Sequence, residues 1–374
     1  MQFNRLIIVN ILFCFVCQYV LAQEYKLVTN GRLILGTYQE RTASISCGDI
    51  DDDGDIDIIV ANGRHWPGQN RIFINDGRGI FTVERDLGSQ RSTTYAAELA
   101  DLDNDGDLDI AVGNDMAPNY IFINDGQGNF SKSSSFGEHY APTRNLTLAD
   151  LDQDGAIDIL IINRGRANEI CLNNGDGDFS KSLIFGTKDD STIDVEVADI
   201  DDDGDLDLIL ANRDEQPNYV YLNNGMLKFT EKIPFGTGRD NTRSIAVGDL
   251  NKDGLLDIIT ANIDEQNVIY FGNKDEPFSQ SLTFDSTQMA SYSVAVADLD
   301  LDDDLDIIIG NAGKPNVVFL NMGNGKTWIR FPLSEEPFRT YDIITSDLNN
   351  DGLVDIIEAN SDEINRYYFN RKKK

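Results

Sequence analysis

Residues 49–57 read Asp-Ile-Asp-Asp-Asp-Gly-Asp-Ile-Asp, and this loop returns seven times, its first aspartate falling at Asp49, Asp101, Asp150, Asp199, Asp249, Asp298 and Asp347. The intervals are 52, 49, 49, 50, 49 and 49 residues. A period of this size marks a repeat architecture in which each unit buries its apolar face against its neighbours. Before each loop lies an apolar run with period-two alternation, such as Ile245 and Val247 or Val294 and Val296. It ends in a small residue (Gly48, Ala100, Ala149, Ala198, Gly248, Ala297 or Ser346). That pattern predicts a short strand packed closely against something. A second run follows the loop (Ile56 to Ala61, Leu206 to Ala211), then a third (Arg71 to Ile74, Tyr219 to Leu222), then a Gly/Asn turn. A fourth begins near Phe81, Phe130, Phe179, Phe229 or Phe278 and ends in a pair such as Phe136-Gly137 or Phe185-Gly186.

Four short strands per unit, joined by tight turns, predict an all-β fold: a seven-bladed β-propeller with four antiparallel strands per blade. The last copy stops after its third strand, Tyr367 to Asn370, whereas the first is preceded by a spare segment, Tyr25 to Thr37. The N-terminal strand is therefore expected to complete the last blade and close the ring, removing exposed sheet edges.

The loop itself has the chemistry of a hard cation. Calcium takes six to eight oxygens, and carboxylates on alternate residues of a tight loop can all point inward. Positions 1, 3, 5 and 9 supply the side chains and position 7 a carbonyl, while a glycine at position 6 permits a left-handed turn. The expected ligands are Asp49, Asp51, Asp53 and Asp57; Asp101, Asp103, Asp105 and Asp109; Asp150, Asp152, Asp154 and Asp158; and Asp199, Asp201, Asp203 and Asp207. The later copies add Asp249, Asn251, Asp253 and Asp257; Asp298, Asp300, Asp302 and Asp306; and Asp347, Asn349, Asp351 and Asp355. Asn251 and Asn349 give neutral oxygens and weaker sites, and Asp303 replaces the glycine in the sixth copy. Up to seven structural Ca²⁺ are expected. An EF-hand is excluded, because position 12 is apolar (Val60, Leu210) and the flanks read as strands.

The first 22 residues have the form of a secretory signal: Arg5, an apolar run from Leu6 to Val20, and Val20-Leu21-Ala22 before the cleavage point. The remainder, 23–374, reads as one propeller domain without a further membrane span. The chain is expected to be secreted or held at the cell surface, as a monomer. Its formal charge of −33 excludes nucleic-acid backbones as a default partner, and 41% hydrophobic residues exclude disorder as the source of the acidity. Cys47 and Cys171 fall in different units and read as small buried hydrophobes, not as a disulfide framework.

Spacing, loop and Phe-Gly pairs together resemble the FG-GAP or VCBS-type repeats, similar to those of the N-terminal propeller of integrin α subunits. The resemblance covers about residues 25 to 370 and implies a calcium-stabilised propeller used in adhesion or glycan binding.

In a four-stranded blade the aspartate loops and the turns between strands 3 and 4 share one face. The links between strands 2 and 3 and between units share the other. On that second face two asparagines repeat, one ending strand 2 (Asn62, Asn114, Asn163, Asn212, Asn262, Asn311, Asn360) and one starting strand 3 (Asn70, Asn119, Asn168, Asn218, Asn267, Asn316, Asn365). They are expected to brace turns by hydrogen bonding. Function is sought where the copies disagree. The candidate ligand-binding residues are His65, Trp66, Tyr95, His139, Tyr140, Arg144, Arg243, Tyr292 and Tyr341. Arginines interleaved with aromatic rings suit carboxylated or sulfated glycans or an extracellular protein. The competing reading is a solvated rim in which arginines pair with acids such as Asp214. An alternative function is a polysaccharide lyase-type enzyme acting on acidic polysaccharide, with His65 or His139 as base and Tyr95, Tyr140 and Arg144 as partners.

Overall fold

The computed structural model describes residues 25–373, so the expected secretory signal at residues 1–22 lies outside the described residues. Every described element is a strand, every strand pairing is antiparallel, and the arrangement is that of a propeller. The inner strands of successive units, each ending at an aspartate loop, pack side by side around a central channel. The last of them, Thr340–Ser346, packs against the first, Ile34–Gly48. Close packing explains the small residue before each loop. A Cβ on Gly48 would stand 2.6 Å from Leu108 Cδ1, and one on Gly248 would stand 2.7 Å from Leu305 Cδ1. Between the sheets, apolar side chains interdigitate in separate clusters, such as Ile59, Ala61 and Ile72 against Ala97, Ile110 and Val112.

The hydrogen bonding does not divide this ring into seven four-stranded blades, which corrects the expected count. It forms five sheets: three of four strands, one of six and one of seven. The three four-stranded sheets span residues 94–136, 143–185 and 192–240. The cause of the fusion lies in four long strands, Asp257–Tyr270, Ser281–Ala297, Ile34–Gly48 and Asp355–Lys372. Each runs through a point where the other units break. In the six-stranded sheet Ile263 pairs with Ala290 and Glu265 with Met289, and in the seven-stranded sheet Glu40 pairs with Glu363 and Arg41 with Ser361. Asp264 and Asp362 take the left-handed turn there, with φ of 57° and 64°, so the ladder continues through bulged register shifts. In the first unit the longer link Gly63 to Gln69 leaves only an isolated bridge between Gly68 and Ser92.

The N-terminal segment pairs with the C-terminal strand: Tyr25–Val28 runs antiparallel to Phe369–Lys372, and Ile34 and Leu35 face Arg366 and Asn365. Chain termini are thereby tied into one sheet.

The repeated asparagines act as braces, as expected, but within a longer relay. Asn70 Oδ1 accepts from Asn62 N at 2.9 Å, Asn70 Nδ2 donates to Thr94 Oγ1 at 3.0 Å, and Thr94 Oγ1 donates to Asn114 Oδ1 at 2.9 Å. The relay crosses from one unit to the next and joins the last unit to the first, where Asn365 Nδ2 donates to Thr42 Oγ1, itself bonded to Asn62 Oδ1; it is interrupted at Asn212 and Asn262, whose Oδ1 atoms have no partner. All these groups are buried, so each bond replaces hydration that the fold removes. The hydroxyl partner had a readable signal: threonine or serine recurs seven residues before each loop, as Thr42, Thr94, Thr143, Thr192, Thr242, Ser291 and Thr340.

Candidate functional site

Each aspartate loop is built by its own first and last carboxylates. Asp49 accepts from Asp53 N at 3.1 Å and from Gly54 N at 2.9 Å, and Asp53 accepts from Asp55 N at 3.0 Å. Asp57 is fully buried and accepts from Ile50 N at 3.2 Å and Asn75 N at 2.7 Å, fastening the loop to the neighbouring turn. Two left-handed residues shape the loop. Gly54 has φ 86°, and Asp303, which replaces this glycine in the sixth copy, has φ 66° and still donates its N–H to Asp298. Position 4 is also left-handed in all seven copies, from Asn350 at 54° to Asp202 at 66°, although none is glycine. Short Asx-type bonds within the loop stabilise that conformation.

The carboxylates converge unequally. Among the described residues, three carboxylates come within 4.8 Å of one another at Asp49, Asp51 and Asp53; at Asp101, Asp103 and Asp109; at Asp150, Asp152 and Asp158; at Asp199, Asp201 and Asp203; and at Asp298, Asp300 and Asp302. The fifth and seventh loops, which carry Asn251 and Asn349, form no such cluster. In the seventh, Asn349 Nδ2 donates to Asp355 at 2.8 Å, while Arg371 donates to Asn349 Oδ1 at 2.9 Å and also to Asp351. A guanidinium thus already neutralises that loop. In the first, second and sixth loops one buried oxygen of the position-3 carboxylate (Asp51, Asp103, Asp300) has no hydrogen-bond partner. A buried, unpartnered carboxylate oxygen is costly unless a cation meets it. The donor set therefore fits Ca²⁺ in the five clustered loops, and the orphaned oxygens add to that fit in three of them; bound calcium would supply positive charge in a chain of formal charge −33. Burial and neighbouring aspartates push Asp51 and Asp103 up from the usual carboxylate range, and Asp300 to about 7.

At the opposite end, the links bring most of the expected ligand residues together around the channel mouth. Tyr95, Arg144, Arg243, Tyr292 and Tyr341 line one channel of about 590 Å³. The Arg144 guanidinium lies 4.4 Å from the Tyr95 ring centroid, Arg64 4.0 Å from Tyr341, and Arg243 5.8 Å from Tyr292. Tyr292 and Tyr341 meet edge to face at 4.7 Å. His65 stands behind this ring, its Nδ1 2.8 Å from Tyr95 Oη. Burial first, then Arg64 and Arg144, pull His65 below its ordinary value.

The remaining candidates lie outside the channel lining. Trp66 is 64% exposed with Arg41 5.9 Å from its ring, and Tyr140 is 61% exposed. His139 bonds Ser135 Oγ at 3.2 Å and stands edge-on to the Tyr140 ring. Several arginines of this face are paired: Arg164 with Asp214 at 2.8 Å, Arg144 with Asp115 at 2.7 Å, and Arg41 with Asp362 at 3.0 Å. Among the described residues Arg213 and Arg243 form no ion pair, and the buried Nε of Arg213 has no hydrogen-bond partner. Mutual repulsion with Arg164 and Arg243, after burial, lowers the Arg213 value. Sequence reasoning missed four acids in the same channel: Glu98, Asp194, Glu196 and Asp342. Their signal was that acids stand three or five residues before the loop where other copies carry Ser, Thr, Asn, Ala or Ile.

Antiparallel strands ringed around a channel, with an aspartate loop after each inner strand, define a repeat β-propeller. A family model described as an FG-GAP-like repeat matches residues 49–112, 101–161, 150–210, 199–260, 249–309 and 298–358, and the chain belongs to this family. No curated protein matches it. Among solved structures it is similar to BBS1N, crystallised in complex with ARL6DN and soaked with lead, at a TM-score of 0.62 and 12% identity over 92% of this chain and 97% of that one. It is also similar to Raptor of Chaetomium thermophilum, at 0.60 and 12%, covering 96% of this chain and 30% of that one. Identity this low shows the fold alone. No helix among the described residues is long and apolar enough to cross a membrane.

Proposed function

We propose that this FG-GAP-like propeller is a secreted, calcium-braced binding protein that docks an anionic glycan or an acidic surface of an extracellular protein on the face opposite its aspartate loops. The observation that carries this reading is the ring of Arg64, Arg144 and Arg243 over Tyr341, Tyr95 and Tyr292, in a chain whose formal charge is −33. A guanidinium held against an aromatic ring is ordered before binding, and N–H groups left over from its protein partners, Asp115 for Arg144 and Ser361 for Arg64, can meet a carboxylate or sulfate; Arg243 has no ion-pair partner among the described residues. Exposed Trp66, Tyr140 and Met116 on the same face add apolar area for a larger partner.

Two measurements test it. Binding to sulfated or uronate polymers should exceed binding to neutral ones and fall at least tenfold in Arg243→Gln; equal retention of neutral polymers would remove the anionic reading. For the metal, five bound calcium ions per chain are expected. Free calcium at 100 times Kd contributes about 2.7 kcal/mol per site, which a chelator removes. An unchanged melting curve together with no bound calcium would refute the assignment.

The lyase alternative retains one observation, the contact of His65 with Tyr95 beneath Arg144. Unsaturated product from a uronate polymer, lost in His65→Ala, would favour it.

A further inference from the structure

The channel reverses its charge along its length. Arg144 and Arg243 stand six residues before their loops, at the mouth, and they are the only basic residues in the lining. Asp194 and Asp342 come one residue deeper, and their oxygens are already taken. Asp194 accepts from Val195 N and Ile245 N, both at 3.0 Å, and from Asn145 Nδ2 at 2.5 Å. Asp342 accepts from Ile45 N and Ser293 Oγ at 3.0 Å and from Ile343 N at 2.9 Å. Two residues further in come Glu98 and Glu196. Ser46 bonds Glu98, and the charges facing these two glutamates from the surrounding strands are further carboxylates: Asp342 and Asp194 toward Glu98, Asp194 and Glu98 toward Glu196. Ser44 lines the same channel, is 8% exposed, and its Oγ has no hydrogen-bond partner. Burial and this repulsion push both glutamates up to about 8.

A cavity of this size is within the range of small-ligand sites. Its inner glutamates face no cation and the Ser44 hydroxyl has no partner, while at the mouth Arg243 forms no ion pair among the described residues and Arg144 is held in place by Asp115 at 2.7 Å. We propose that the channel binds a zwitterion end-on, with an anionic group between Arg144 and Arg243 and an ammonium group between Glu98 and Glu196. The inference rests on the anion-binding reading of the mouth. Three residues along a strand separate the two levels, so the ligand charges lie roughly 10 Å apart. An extended tripeptide spans about that distance between its termini. The ammonium donates to the glutamates and to Ser44, and its arrival displaces the protons that the glutamates otherwise hold.

The test is calorimetric titration of the calcium-loaded protein with triglycine, N-acetyl-triglycine and triglycine amide at neutral pH. Triglycine is expected to bind at least tenfold more tightly than either blocked form, with a heat that depends on the buffer because protons are released. The Glu98→Gln/Glu196→Gln variant, checked for an unchanged circular dichroism spectrum, is expected to lose the preference over N-acetyl-triglycine and the proton release together. Equal affinity for triglycine and N-acetyl-triglycine overturns the ammonium site while leaving the anionic mouth in place. Equal affinity for triglycine and its amide overturns the mouth itself, and binding of none of the three overturns both.

Discussion

Replacing Thr94 by valine removes one hydroxyl and leaves the side-chain shape. Thr94 is fully buried, and its Oγ1 both accepts from Asn70 Nδ2 at 3.0 Å and donates to Asn114 Oδ1 at 2.9 Å. Neither amide group has another partner for that atom, so the substitution strands one buried donor and one buried acceptor. Each stranded group costs about 1–3 kcal/mol, against which the added methyl returns roughly 0.8 kcal/mol of burial. The net loss should be about 1–5 kcal/mol, read as a lower urea midpoint at unchanged slope. Thr192 supplies the internal control. It accepts from Asn168 Nδ2 at 3.2 Å, but Asn212 Oδ1 is already without a partner. Thr192→Val therefore strands one group, and should cost about 1–3 kcal/mol less than Thr94→Val. Equal costs for the two variants, or a loss below about 0.5 kcal/mol for Thr94→Val, would refute the view that the relay couples neighbouring units through satisfied bonds.

Two further outcomes follow from buried or crowded titratable groups. Glu358 is fully buried, accepts from Asn316 Nδ2 at 2.6 Å and Tyr368 Oη at 3.2 Å, and burial pushes it from 4.5 to about 7. The folded state then holds the proton more tightly than the unfolded one. Its contribution is complete below pH 4.5 and is lost as pH rises to about 7, on the order of 3 kcal/mol. Glu358→Gln should flatten that part of the wild-type profile, and parallel profiles for the two proteins would contradict it. For His65, an NMR titration should find a midpoint below 6.5, moving upward when Arg64 or Arg144 is replaced by methionine, because after burial the depression comes from the guanidinium charges of Arg64 and then Arg144. A midpoint at or above 6.5 would place the ring outside the arginine cluster.

What the sequence made legible is what repetition enforces. The aspartate loops declared the unit, the order of strands and the two faces, because the same geometric demand recurs at every turn and any single copy can be checked against six others. Asn62 and Asn70 were readable as braces for the same reason, and His65, Tyr95 and Arg144 were brought together as neighbours on adjacent links. Sheet fusion was not legible. Whether Asp264 or Asp362 carries a ladder unbroken from one strand into the next depends on a left-handed turn that no glycine marks. The channel acids were hidden for a different reason. Glu98 and Glu196 occupy positions in alternating strands where a polar residue ordinarily means solvent, and only closure of the ring turns that solvent side into a narrow enclosure. In an open sheet each would be a hydrated surface carboxylate. Enclosed together with Asp194 and Asp342 they repel one another, and that repulsion is the property a cationic group can exploit. Arginines at the mouth have the complementary history, since a position six residues before the loop carries no fixed residue type and so contributes nothing to the fold's regularity. Selectivity in this molecule therefore belongs to the inner-strand positions that the repeat leaves unconstrained, and it can change there without disturbing the aspartate loops that hold the ring together.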